Sequence, residues 1–267
     1  SQFQPILAEV FALKREEAAY YGYAEHPYDA LVDSFDPGMT SARLRDIFGP
    51  LRQQLRPLLE AVKAADPVED GFLKQRIPKE KQLSFGRRLL ELMGYDFSHG
   101  AMELSTHPFT TEFGMEDVRL TTRVDEHDLQ MMMYSTVHEG GHALYEQGLP
   151  SSQYGLPGGE ACSLSIHESQ SRLWENNLFR SESFLRFIFP ELTSLFPDGL
   201  AGRTPNDVYR AANVIRPSFI RIAADELTYH FHIMLRFEIE SAIINGEAEV
   251  KDIPELWAAR LKEDLGL

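Results

Sequence analysis

The sequence predicts a mostly α-helical domain that carries one small antiparallel β-hairpin or sheet. Apolar residues recur three and four apart through most of the chain, the period of helices with one buried face. Only one window, roughly residues 101–124, alternates apolar and polar with period two, as a half-buried strand does. The 267 residues contain no low-complexity run, internal repeat or composition shift that would mark a linker. A single domain over 1–267 is therefore the simplest arrangement.

Taken in order, residues 2–22 carry Phe3, Ile6, Leu7, Val10, Phe11 and Leu13 on a broad apolar stripe. PGMTSARLRDIF opens a second helix, with Thr40 or Ser41 as its cap, running to about residue 65. Pro50 and Pro57 are expected to bend or divide it. A third helix covers 79–93 and closes at Gly94. In the β window, MELSTHPF and DVRLTTRV alternate, and TTEFGME between them supplies a glycine, which gives a hairpin over 101–124. Helices resume at about 126–147, 162–180, 205–245 (bent at Pro217) and 253–265, with SSQYGLPGGE at 151–160 as the clearest break. The closing LKEDLGL stops within a helical pattern, as expected of a chain cut short.

Composition excludes several classes. A formal net charge of −15 argues against nucleic acid, whose binding needs clustered Lys and Arg. No apolar run approaches the ~20 residues of a membrane span. The opening SQFQPILAEVFALKREE lacks the basic start and small-residue cleavage site of a signal peptide. The single cysteine, Cys162, rules out an internal disulfide framework and suits a reducing cytoplasm.

The stretch VHEGGHALYEQG, Val137 to Gly148, carries the chemistry. Positions four apart lie on one helix face, so His138 and His142 can present two imidazoles to one ion. Glu139 sits about 100° round the helix, where a carboxylate can take a proton from water, the mechanics of the H-E-x-x-H signature. Met131, Met132, Thr136, Val137 and Leu144 give the segment a buried character, and a buried polar trio needs partners. Gly140 and Gly141 each cost about 1 kcal/mol against alanine in mid-helix. Side chains there would crowd the metal's approach or a neighbouring helix. A catalytic zinc also needs a third protein ligand. A third histidine six residues after the second is absent, because position 148 is Gly148. SLSIHESQSRLWE at 163–175 supplies Glu168 instead, an acid that would by itself read as a solvated helix carboxylate. Its neighbour His167 points about 100° away and suits a supporting or substrate-binding role.

HPF at 107–109, DVRLT at 117–121, HEGGH at 138–142, HES at 167–169 and IRIAADEL at 220–227 come in one order and span nearly the whole chain. Together with PYDALVDSFDPGMT at 27–40, they closely resemble the carboxypeptidase Taq family of metallocarboxypeptidases. The resemblance implies a helical, zincin-like metallopeptidase fold containing a groove, usually in a homodimer. It implies removal of single residues from peptide C-termini with broad specificity, using zinc or sometimes cobalt. Residue by residue, it makes His138, His142 and Glu168 ligands and Glu139 the general base. The family's further motif, G-x-x-Q-D-x-H-W, has no counterpart here, and family chains extend well upstream. The resemblance thus implies a central piece, incomplete at both ends. A zinc endopeptidase or oligopeptidase, or an inactive metal-binding or dimerisation fragment, are the alternatives.

The remaining motifs read less sharply. Asp117, Arg119 and Thr121 share one face of a strand, either solvated or pairing near a cleft. His107 precedes Pro108 in an extended position. A lone histidine there is usually a hydrogen-bonded loop residue, but beside a metal site it can polarise a scissile carbonyl. Arg221, Asp225 and Tyr229 fall at successive helical turns, with Arg216 before the bend. An exopeptidase must bind a free carboxylate, which a planar guanidinium does well. Arg221, steadied by Asp225, is the first choice, with Arg216 and Arg119 as alternatives.

Overall fold

The computed structural model describes residues 2–267. The main elements are α1 (Gln4–Tyr21), α2 (Pro27–Asp33), α3 (Ser41–Lys63), α4 (Lys79–Met93), β1 (Met102–Leu104), β2 (Thr110–Glu112) and β3 (Val118–Thr122). They continue with α5 (Leu129–Gln147), α6 (Leu164–Arg172), α7 (Glu182–Leu195), α8 (Pro197–Leu200), α9 (Pro205–Ala212), α10 (Glu226–Ile244) and α11 (Ile253–Leu265). Helices dominate and the sheet is small, as the periodicity predicts. The described residues gather into two compact units, one of residues 2–66 with 215–267, the other of 67–214.

In the first unit, α10 packs its apolar residues against α3 and α11, while Glu226, His230 and Arg236 stay exposed. Leu59, Phe231, Met234, Leu235 and Ile243 form its fully buried centre. α3 runs through Pro50 and Pro57 as one helix, so neither proline divides it. Its first turn is fixed by Thr40, whose hydroxyl accepts from the Arg43 amide. α11 closes at Gly266, which takes the left-handed conformation at φ 74°.

In the second unit α5 is the central element, flanked by α4, α6 and β3. Leu89, Leu90, Leu120, Met132, Leu185 and Ile188 are buried round it. A hydrogen bond between the Thr122 and Thr136 hydroxyls, 2.8 Å, ties β3 to α5 inside this core.

Two expectations need correcting. The window 101–124 is not one hairpin but a three-stranded mixed sheet ordered β1-β3-β2. Only β2 and β3 are antiparallel, through the turn at Gly114, while β1 joins the other edge of β3 in parallel. A period-two pattern marks strands, but says nothing about which neighbour each one pairs with. The second correction concerns 205–245, which is two helices rather than one bent helix. Residues 213–225 are non-helical apart from a short 3₁₀ turn, Arg221–Ala223. Pro217 cannot donate a helical bond, and Asp225 acts as the N-cap of α10, accepting from the Thr228 amide at 2.9 Å. The expected helical turn from Arg221 through Asp225 therefore does not form.

Candidate metal centre

Helix α5 begins at Asp128, whose carboxylate accepts from the Met131 amide. It then carries the HEGGH motif through the middle of the second unit. The glycines answer to packing. A Cβ on Gly141 would stand 2.6 Å from the Ser171 Cα and 2.8 Å from the Gln170 carbonyl, both backbone of α6. One on Gly140 would meet Leu90 and Met93 of α4 at 2.7 and 2.8 Å. On the Gly141 side the backbone of α6 thus comes closer to α5 than alanine would permit, and α6 carries the third candidate ligand, Glu168; on the Gly140 side the contact is with side-chain ends of α4.

His138, His142 and Glu168 converge, each offering one donor atom, with the three atoms within 4.8 Å of one another. Glu168 Oε2 lies 3.6 Å from His138 Nε2 and 3.3 Å from His142 Nε2. Donors about 2.1 Å from a tetrahedral ion stand roughly 3.4 Å apart, so this spacing fits one transition-metal ion. The other ring nitrogens are occupied. His138 Nδ1 lies 2.8 Å from Glu175 Oε2, and His142 Nδ1 lies 2.6 Å from His167 Nδ1. Only the two Nε2 atoms face the shared point. A site with two imidazoles and one carboxylate, its imidazoles held from behind, has the donor set of a catalytic divalent metal.

The charges agree. Burial alone would raise the Glu168 carboxyl, but the His142 hydrogen bond, His138 and Arg172 hold it down to about 2. Burial works likewise against ionised Glu175, and His138, Arg172 and Arg180 overcome it, so that its pKa is lowered. His138 is raised above its ordinary value, because Glu175, Glu168 and Glu139 outweigh the effect of its burial. A group of carboxylates that stay ionised around an imidazole that attracts protons is also one that attracts a cation.

The profile of the family described as Carboxypeptidase Taq (M32) metallopeptidase matches residues 1–267. The chain belongs to that family. Among its relatives, Carboxypeptidase 1 of Bacillus subtilis (strain 168) is 39% identical over 268 residues, covering 100% of this chain and 54% of its own. Thermostable carboxypeptidase 1 of Pyrococcus furiosus is 40% identical over 276 residues, again covering 100% of this chain and 54% of its own. The crystal structure of the M32 carboxypeptidase from Deinococcus radiodurans R1 superposes with a TM-score of 0.96 at 42% identity, over 100% of this chain and 54% of that one. This M32 chain thus spans about half the length of the relatives it matches.

The other residues singled out by the sequence are less gathered. Glu139 is 7% exposed, and the Thr110 hydroxyl of β2 donates towards it, 2.7 Å from Oε2 and 3.0 Å from its carbonyl. His107 is exposed in the loop between β1 and β2. Arg119 is exposed too, its guanidinium fork set on Asp117 with two 2.7 Å contacts. Arg216, Arg221 and Tyr229 belong to the first unit. Asp225 does not steady the Arg221 side chain, because its oxygens serve the amides of Thr228 and Arg216. Arg221 Nη1 donates instead to the Tyr229 hydroxyl at 2.5 Å.

Sequence reasoning missed Glu175, Glu146, Thr110 and Arg180. Two of them had a signal. Glu175 lies seven residues after Glu168, two turns along the same face, and Glu146 lies four after His142. Glu175 sits in the π-helical segment Leu173–Phe179 that extends α6, held by Arg172 and Arg180 at 3.2 and 3.3 Å. Thr110 and Arg180 reach the site through tertiary packing, for which no local pattern exists.

Proposed function

We propose that this chain is the metal-bearing part of a zinc-dependent metallocarboxypeptidase that removes single C-terminal residues from peptides with broad side-chain preference. The observation that carries the reading is the convergence of His138 Nε2, His142 Nε2 and Glu168 Oε2 on one point. Zinc held there, with cobalt as the substitute, supplies Lewis acidity that makes water a better nucleophile and a peptide carbonyl a better electrophile. Glu139 takes the proton of the attacking water and returns it to the leaving amine. Thr110 engages one of its carboxylate oxygens and so orients the other. His107 is assigned to the carbonyl oxygen as negative charge develops there. The cation that rewards the terminal carboxylate is drawn from Arg221, Arg216 and Arg119, with Tyr229 as the hydroxyl that positions Arg221. A homodimer accompanies this reading from the family likeness. A cytoplasmic setting accompanies it from the single free thiol, Cys162.

The test is cleavage of matched peptides with free and amidated C-termini, alongside metal analysis. We expect about one zinc per chain and release of the last residue from the free acid only. Equal cleavage of both peptides would convert the reading to an endopeptidase. Zinc without cleavage of either would leave only a metal-binding fragment, and no zinc would sink the reading.

A further inference from the structure

We propose that Glu146 and His167 form a relay that fixes His142 as a metal ligand and extends the negative charge of a carboxylate to it. The proposal rests on the metallopeptidase reading and adds positioning residues to it. His167 stands between the two, with Nδ1 at 2.6 Å from His142 Nδ1 and Nε2 at 2.7 Å from Glu146 Oε1. Two ring nitrogens at that separation share one proton, so one donates and the other accepts. An ionised carboxylate only accepts, which places a proton on His167 Nε2. With that proton in place, the His167 lone pair is on Nδ1, which accepts from His142 Nδ1–H. The His142 lone pair is then on Nε2, the atom that lies 3.3 Å from Glu168 Oε2. One carboxylate therefore dictates the tautomers of two histidines. The reverse order would set a lone pair of His167 against the Glu146 oxygen.

Burial strengthens the chain of bonds. The side chains of Glu146, His167 and His142 are 9%, 15% and 17% exposed, so water competes little for them. The Tyr145 ring meets His167 edge-on with centroids 5.0 Å apart, walling its position. Glu146 and His142 stand on one face of α5 four residues apart, whereas His167 comes from α6 immediately before Glu168. The relay thus ties α6 to α5 next to the third ligand. His138 differs, because Glu175 reaches its Nδ1 in one step.

The experiment uses zinc and cobalt(II) ions as probes on the purified protein. Zinc uptake by the unmutated chain comes first, and its absence would overturn the metallopeptidase reading and the relay together. Side-chain ¹⁵N spectra of the zinc-loaded protein should place protons on His142 Nδ1 and His167 Nε2. A proton on His167 Nδ1, alone or as a second proton, overturns the relay while leaving the metal reading intact. Glu146→Gln keeps the size of the side chain and removes its charge. Chelator competition should show zinc held roughly 10–100-fold more weakly, as loss of an outer partner of a ligand does. The cobalt absorption bands should shift, a change that a general loss of fold would not produce in a protein that still binds. Affinity within about twofold of the unmutated protein, with unchanged cobalt bands, overturns the relay. Should this variant fail to fold, the tautomers of the unmutated protein decide alone.

Discussion

Both units bury charge, and they do so in different ways. In the second unit each charged or titratable group round the metal centre ends on a hydrogen-bonded partner: His138 on Glu175, Glu175 on Arg172 and Arg180, and His142 on His167 and then Glu146. What is left over is two Nε2 atoms and a carboxylate oxygen aimed at one point. In the first unit, Arg52 lies between Glu238 and Asp264, with Arg56 and Arg260 on the outer side. There opposite charges face each other and close the cluster. Arg52 Nη2 and both Asp264 oxygens are buried without an aligned hydrogen bond, although they pair by distance. Both clusters pair acids with bases, but of the two only the second unit's leaves convergent donors. A site is recognised by what its internal bonds leave unused.

Removing those unused donors, or the base beside them, should have the largest effects. Glu139→Gln should cost about 10²–10⁴-fold in kcat, the usual worth of a positioned proton acceptor, while metal content stays unchanged. Substantial turnover by that variant would remove Glu139 from the base role. His142→Ala should lose the metal and the stability linked to it, about 3–4 kcal/mol when metal stands at 100–1,000 times its Kd. A chelator should lower the melting temperature of the unmutated protein and leave the variant's unmoved. Equal response of both would show that the cluster does not bind metal through His142.

Smaller effects are expected from the two glycines, which contrast the two faces of α5. Gly141→Ala drives a methyl into the backbone of α6, which cannot move without carrying Glu168 with it. A cost of about 1–3 kcal/mol is typical of such overpacking, and zinc affinity should fall as well. Gly140→Ala meets the flexible ends of Leu90 and Met93. Those can turn aside, and the gain in helix propensity of up to ~1 kcal/mol offsets part of the strain. Thermal denaturation of the two variants checks the order. Equal costs would mean that α6 is no more rigidly placed than the side chains of α4.

How much of this was legible follows from the range of each interaction. Helix spacing alone put His138, His142 and Glu139 together, because the information lies within one turn. Glu168 needed the motif beside it to rise above a solvated carboxylate. Glu146 and Glu175 carry the same kind of local signal, at i+4 from His142 and i+7 from Glu168. Thr110 was not legible, since its approach to Glu139 depends on β2 packing against α5. The same limit explains the sheet: alternation gave two strands, whereas β2, Thr110–Glu112, lies in the stretch read as their connection, and the parallel seat of β1 is a long-range choice. At 213–225 the error was local. Hydrophobic periodicity ran on through a segment where Pro217 and the capping preference of Asp225 both favour a break.

The smallest effect tests the closed cluster of the first unit. Removing one partner of a well-formed buried ion pair ordinarily costs about 3–5 kcal/mol. Asp264 should not behave so. Its side chain is only 3% exposed, and burial raises its pKa from the ordinary 3.8 despite the pull of Arg52 and Arg56. Arg52 itself is raised, its burial outweighed first by the Glu238 hydrogen bond and charge, so its main partner is Glu238 rather than Asp264. A carboxyl with a raised folded pKa contributes its stability below the unfolded value and loses it as pH rises through the folded one. Above that point the folded protein no longer has that contribution from Asp264. Asp264→Asn lacks this titration, so it should lie within about 1 kcal/mol of the unmutated protein near neutral pH. The difference in favour of Asn should grow as pH rises through the acid range and then level off. Chemical denaturation at several pH values measures it. A loss of 3 kcal/mol or more at neutral pH, within the range for a broken buried pair, would show that Asp264 is held as firmly by Arg52 as Glu175 is by its arginines, and the contrast between the two units would fall.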